Sequence, residues 1–159
     1  MNINAGHILE SVRRLFGSEP CRLQVAALPW RKSKDGIKVM LVTSRDTGRW
    51  LLPKGWPELG EELFEAAARE AREEAGLKGS VSKNEAGRYF YVKSVAAGDD
   101  IRCEVLVYPL EVDAVARKWK EKGERKRKWL SPVKAAELVS EAEVGKLILS
   151  FADSQRQVT

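Results

Sequence analysis

The chain has 159 residues, 43% of them hydrophobic, and a formal charge of +5 at neutral pH. That length and composition suit one globular domain with a real core. No apolar run reaches the length of a membrane span, and a lone histidine, His7, argues against a triad built on imidazole. In chain order, residues 1–17 read as an amphipathic helical extension through Ile8, Leu9, Val12, Leu15 and Phe16, not as a secretory leader. Strands are expected at 21–30 and 37–45, joined by the turn Ser33-Lys34-Asp35-Gly36. A short strand follows at 50–52, then a Pro- and Gly-broken loop, then a helix over 62–75 stopped by Gly76. Alternating patterns predict strands at 87–94 and 101–112, with a turn at 97–100 between them. Residues 126–130 read as a last short strand. Helices are expected from Pro132 through Val139 and over 144–151, before a frayed tail. The domain is therefore placed at 18–152, with the extension before it and a tail at 153–159.

The helix over 62–75 carries the chemistry. At about 100° per residue, Glu70, Glu73 and Glu74 share an arc of roughly 100°. Phe64, Ala67, Ala68, Ala71 and Ala75 form a second stripe, which would let the helix lie close to a sheet. Like charges at this spacing repel. A hard divalent cation with oxygen ligands is the commonest compensation. Arg69 is placed to pair with Glu61 or Glu73, and Glu61 precedes the helix, where its dipole favours a carboxylate. A plain solvated Ala/Glu/Arg helix is the competing account, but it does not require the upstream glycine and glutamate.

Gly55, Glu61, Arg69-Glu70, Glu73-Glu74 and Gly76-Leu77 together resemble the Nudix box, G-x5-E-x7-R-E-U-x-E-E-x-G-U, with U a bulky aliphatic residue. Ala71 is the one departure, standing where a larger aliphatic is usual. The resemblance implies an α/β fold, the Nudix α/β/α sandwich with a mixed central β-sheet. It implies an enzyme that hydrolyses diphosphate linkages with Mg²⁺, Mn²⁺ being a possible substitute. Glu70, Glu73, Glu74 and the Gly55 carbonyl are the implied metal ligands, and Arg69 with Glu61 would orient the acids. The general base would be a box glutamate or, as a weaker candidate, Glu104.

Residues 24–31, 41–45, 49–56 and 125–130 resemble the diphosphoinositol polyphosphate phosphohydrolase branch. Lys54-Gly55 also occurs in dinucleoside tetraphosphate hydrolases, for which Tyr89, Tyr91 or Trp56 would offer a base-stacking surface. The expected activity is therefore on diphosphoinositol polyphosphates, dinucleoside polyphosphates, or both. Arg45, Arg102, Arg125 and Arg127 are candidates for substrate phosphates, since guanidinium forks suit phosphate oxygens. Lys54 and Lys126 join them, with Arg22 and Gln24 as secondary candidates. Trp129 is expected to anchor its strand and so decide which basic side chains of 125–128 face the cleft.

The partner expected is a phosphorylated small molecule and not a membrane. Nucleic acid stays open through the basic run, which also admits an RNA 5′-end pyrophosphohydrolase. A non-catalytic ligand sensor is disfavoured, because the box glutamates are all present. The assembly expected is a monomer or homodimer. Cys21 and Cys103 lack zinc-site spacing and are expected as reduced thiols of a cytoplasmic protein.

Overall fold

The computed structural model describes residues 21–94, 98 and 100–158. The expected N-terminal extension and two residues of the expected turn at 97–100, Ala97 and Asp99, lie outside them. Eight strands form one mixed sheet: β1 Arg22–Ser33, β2 Gly36–Thr43, β3 Trp50–Leu51, β4 Lys54–Gly55, β5 Leu77–Val81, β6 Gly87–Lys93, β7 Ile101–Val115 and β8 Arg127–Leu130. Three helices are described: α1 Leu63–Ala75, α2 Pro132–Leu138 and α3 Ala142–Gln157.

The spine of the sheet is β1 lying parallel to β7, from Arg22 opposite Cys103 to Trp30 opposite Glu111. Every other pairing is antiparallel. β1 is long enough to serve two partners on its other edge. Its middle takes β4, with Val25 opposite Gly55, and its end takes β2 through a tight hairpin closed by Ser33 opposite Gly36. Gly36 has φ of 118°, a turn conformation that a side chain would resist. β7 likewise pairs with β6 along its first half and β5 along its second.

Alternation along β1, β2 and β7 sends apolar side chains to both faces, the pattern of a sheet covered on both sides. On one face Ala26, Leu28, Val39, Leu41, Val105 and Val107 pack against Val144, Ile148 and Phe151 of α3. On the other, Val25, Ala27, Met40, Val42, Leu106 and Leu110 meet Ala66, Ala67, Ala71 and Ala75 of α1. The expected α/β/α sandwich is thus present. The four buried alanines remove side-chain bulk between helix and sheet; Ala66, not Ala68, is the fourth. The small Ala71 fits here, with no exposed surface left.

Three expectations change. β5 was not among the expected strands; it forms because Gly79 lets the Glu111 carbonyl of β7 approach. The long strand continues to Val115, since β5 supplies a partner for its far end. The tail from Asp153 is not frayed: α3 runs on to Gln157, with Phe151 and Ala152 buried. Cys103 is buried, and neither cysteine is in a disulfide. Among the described residues, no helix is long and apolar enough to cross a membrane.

Candidate active site

A polar cleft of about 1010 Å³ opens where α1, β4, the end of β2 and the segment before β8 meet. Its floor is the acidic stripe of α1. Glu70 and Glu74 line it and are buried, at 8% and 4% exposure, which is unusual for carboxylates and so informative. Glu73 stands to one side, a quarter exposed, with its carboxylate 3.5 Å from Arg69 and 3.7 Å from Lys120. Glu61 lies behind Arg69, outside the cleft lining.

β4 sets the depth of the site. The Lys54 amide donates to Glu74 Oε2 at 3.1 Å. A Cβ on Gly55 would overlap the Glu70 carboxylate, so only glycine lets that acid rest on the strand. The first box glycine is therefore a requirement of close approach, not of a turn. Its φ is not in the left-handed region.

Two guanidiniums organise the acids. Arg69 gives Nε to Glu61 Oε2 and Nη2 to Glu61 Oε1, both at 2.9 Å, a bidentate fork. Its Nη1 donates to Glu70 Oε1 at 2.9 Å, and Nη2 also reaches the Trp56 carbonyl at 3.0 Å. Arg125 comes from the far side. It lies 3.1 Å from Glu74 Oε1, 3.1 Å from Glu121 Oε1, and donates to the Thr43 carbonyl at 3.0 Å.

Burial then separates the acids. Glu61 is held below its ordinary value, chiefly by the Arg69 hydrogen bonds. Glu70 is raised by burial, with Arg69 opposing. Glu74 is pushed up to about 8 by burial, against the pull of Arg125 and with repulsion from Glu70 added. Lys54 is lowered by burial, Glu74 opposing. Burial thus outweighs the positive charge that Arg69 and Arg125 supply to these two carboxylates.

Not every expected contact is brought to the cleft. Arg45, Lys54 and Arg125 line it, as does Gln24. Lys126 lines an adjoining groove of about 400 Å³ that shares Arg45 and Arg125 with it. Arg102 is exposed on β7 and lines neither. Arg125 and Arg127 do share a side, as alternation required, but Arg127 reaches the end of α1 instead of the cleft. It donates to the carbonyls of Ala75 at 2.7 Å and Ala116 at 2.6 Å. Trp129 packs against the core on the α1 side, with Arg31 over its ring. Glu104 is tied to Arg88 at 2.8 Å, away from the cleft, and is no base for this site. Tyr89 is buried at 1% exposure and cannot stack on a ligand, whereas Tyr91 and Trp56 line the cleft.

Sequence reasoning missed Glu121, Lys93 and Lys120, which also line it. Glu121 sits in the charge-dense stretch KWKEKGERKRKW, where nothing marks one acid among so many ions.

The donor set suits a hard divalent cation: carboxylate oxygens beside a backbone strand, in a half-enclosed polar cleft. Among the described residues no three acids converge on one point; Glu70 is paired with Arg69 and Glu74 with Arg125. Sharing one cation would require Glu70 and Glu74 to turn partly from these guanidiniums.

A carboxylate-floored, cation-rimmed cleft on an α/β/α sandwich suits chemistry on phosphoric anhydrides, and the family match agrees. The chain belongs to the NUDIX family, whose domain model matches residues 21–151. Members of this family generally use divalent metal ions. The chain is 32% identical over 134 residues to Nudix hydrolase 13, mitochondrial, of Arabidopsis thaliana, covering 74% of this chain and 66% of that protein. It is 31% identical over 118 residues to human diphosphoinositol polyphosphate phosphohydrolase 3-alpha, covering 73% and 68%. It thus spans about two thirds of the length of each of these two relatives. The crystal structure of a C. elegans Ap4A hydrolase has the same fold, with TM-score 0.61 and 22% identity over 84% of this chain and 97% of that one.

Proposed function

We propose that this chain is a Mg²⁺-dependent pyrophosphohydrolase of densely phosphorylated small molecules, with diphosphoinositol polyphosphates as the favoured class. The observation that carries this reading is the split among the basic side chains. Arg69, Arg125 and Arg127 are spent on acids and carbonyls inside the protein. Arg45, Lys93 and Lys120 line the opening and Lys54 sits deeper; among the described residues none of the four has an ion pair closer than 3.7 Å, Arg45 lying 3.8 Å from Glu121 and Lys120 3.7 Å from Glu73, while Lys54 and Lys93 lie over the rings of Tyr91 and Trp56. A rim of this kind matches a ligand with phosphates on several sides. The cleft is also at the upper end of small-molecule pockets, about 300–1,000 Å³.

Glu70, Glu73, Glu74 and the Gly55 carbonyl would hold the cation, Mg²⁺ or alternatively Mn²⁺. When bound, it supplies charge for the anhydride oxygens and acidifies water. The chain's own groups do the rest. Arg69 keeps Glu70 turned toward the cleft. Arg125 holds Glu74 and Glu121 on facing walls. Arg45, Lys54, Lys93 and Lys120 bind and orient the phosphates.

A second reading has its own observation. Trp56 and Tyr91 present rings to the cleft, Trp56 at 36% exposure, where a nucleobase could stack. This supports dinucleoside polyphosphates such as Ap4A as additional substrates. The two separate in a matrix of kcat/KM at fixed salt. Arg45→Ala and Lys93→Ala should cost more for the inositol substrate, each lost charge-assisted contact being worth about 1.5–3 kcal/mol. Trp56→Ala should cost more for Ap4A. Equal losses on both substrates would remove the basis for preferring either.

A further inference from the structure

An α-helix ends with its last four carbonyls lacking partners in the helix, and its C-terminus carries partial negative charge. The box helix ends under three glutamates, which makes that end doubly anionic. Its terminal carbonyls are met by one distant segment, residues 116–127. The Glu73 carbonyl accepts from the Glu121 amide at 3.1 Å. The Glu74 carbonyl accepts from the Trp119 indole Nε1 at 3.0 Å. The Ala75 carbonyl accepts from Arg127 Nη1 at 2.7 Å, and the Gly76 carbonyl from the Ala116 amide at 2.8 Å. The Arg127 guanidinium also lies 3.7 Å over the Trp119 ring. The same segment carries two groups into the cleft: Glu121, which sequence reasoning missed, and Arg125, which pairs with Glu74.

We propose that Trp119 and Arg127 are positioning residues of the active site, a clasp on the end of the box helix that sets where Arg125 and Glu121 stand relative to Glu70 and Glu74. The clasp has two parts with different chemistry. Trp119 supplies one N–H and a flat face. Arg127 stacks on that face and spans two carbonyls, one on the helix and one on the segment, which a lysine cannot do at once. Gly76 belongs to the clasp, because a Cβ there would come within 3.0 Å of both the Trp119 ring and Arg127 Nη1. Neither Trp119 nor Arg127 lines the cleft, so their effect passes through Arg125 and Glu121.

This inference rests on the reading of Glu70 and Glu74 as the working acids. The test combines kinetics and hydrogen exchange, using nucleotide release from Ap4A and phosphate release from a diphosphoinositol polyphosphate in Mg²⁺. Arg127→Ala should lower kcat by about 10–100-fold, the range for groups that orient metal ligands, with KM changed less than kcat. Arg127→Lys should recover only part of this. Trp119→Phe, which keeps the ring and loses the N–H, should cost less than Trp119→Ala. The decisive comparison is a double-mutant cycle. If Arg127 works through Arg125, Arg125→Ala/Arg127→Ala should be no slower than Arg125→Ala alone, whereas a merely stabilising role gives losses that multiply. Exchange must rise in 116–126 of Arg127→Ala while β1 and β2 stay protected, a readout that needs no turnover. Unchanged exchange there, multiplying losses, or an unchanged kcat would each overturn the clasp. Glu74→Gln at full activity would instead overturn the reading of the site beneath it.

Discussion

Arg69 and Arg125 do the same job at opposite ends of one acidic stripe, yet only the first could be read from the sequence. Arg69 finds Glu61, Glu70 and Glu73 within nine residues of itself, all on or beside one helix. Arg125 finds Glu74 from 51 residues away (125 − 74), through the pairing of β8 with β2. The outcome for the carboxylates differs as well. Glu61, with a bidentate partner and some water, is held low, while Glu74 is pushed up to about 8. A guanidinium stabilises an anion, but burial decides the sign once solvent is nearly gone.

The largest expected effect tests whether the buried end is the working end. Glu74→Gln should lower turnover by at least about 10²-fold, the scale for a positioned catalytic group, with the melting temperature unchanged or raised. The rise is expected because wild-type Glu74 ionises freely only on unfolding, which favours the unfolded chain, and an amide has no such gain. Glu61→Gln should cost less activity and more stability, and a reversal of the two would break the comparison.

Next comes Arg69→Ala, which strips Glu61 and Glu70 of their donor. We expect a stability loss of about 2–3 kcal/mol by denaturant titration, the scale of charged hydrogen bonds left unmade. A loss within error would mean that water replaces Arg69 fully.

Gly76→Ala places a side chain at φ 67° and against the clasp. A loss of about 1–2 kcal/mol is expected from the left-handed backbone alone. A larger loss, relieved in part by Trp119→Ala, would show the steric contribution.

A further comparison is of pH dependence, measured in chelator. Glu74 releases its proton near its ordinary 4.5 when unfolded and near 8 when folded. Between those values the folded state holds the extra proton, so its contribution falls as pH rises from 4.5 toward 8. Glu61 runs the other way, stabilising above its unfolded value and losing that as pH falls through its lowered one. The difference between wild-type and Glu74→Gln unfolding midpoints should therefore widen from pH 5 to pH 8. A flat difference would contradict the raised value.

What was legible follows the same division. The box helix, its glycine stop and the Arg69–Glu61 pair depend on short spacings, which periodicity and capping reveal. The two covered faces were legible in the alternation of β1 and β7. β5 was not, since LKGSV becomes a strand only because β7 offers an edge. Arg127 was read as a phosphate contact for a related reason. Alternation placed it on the right side of its strand, but nothing local showed that the helix end, not the cleft, lay opposite. Glu121 was invisible among its charged neighbours until β8 folded back along β2.

The central claim is hydrolysis by the cleft carboxylates with a divalent cation, and the most direct test is phosphate release from a diphosphoinositol polyphosphate and mononucleotide release from Ap4A, with Mg²⁺ and then with excess chelator. The account predicts release in Mg²⁺ from the inositol substrate at least, abolished by chelator and restored by added Mg²⁺ or Mn²⁺. Release at the full rate in excess chelator, or none from either substrate in Mg²⁺, would contradict it.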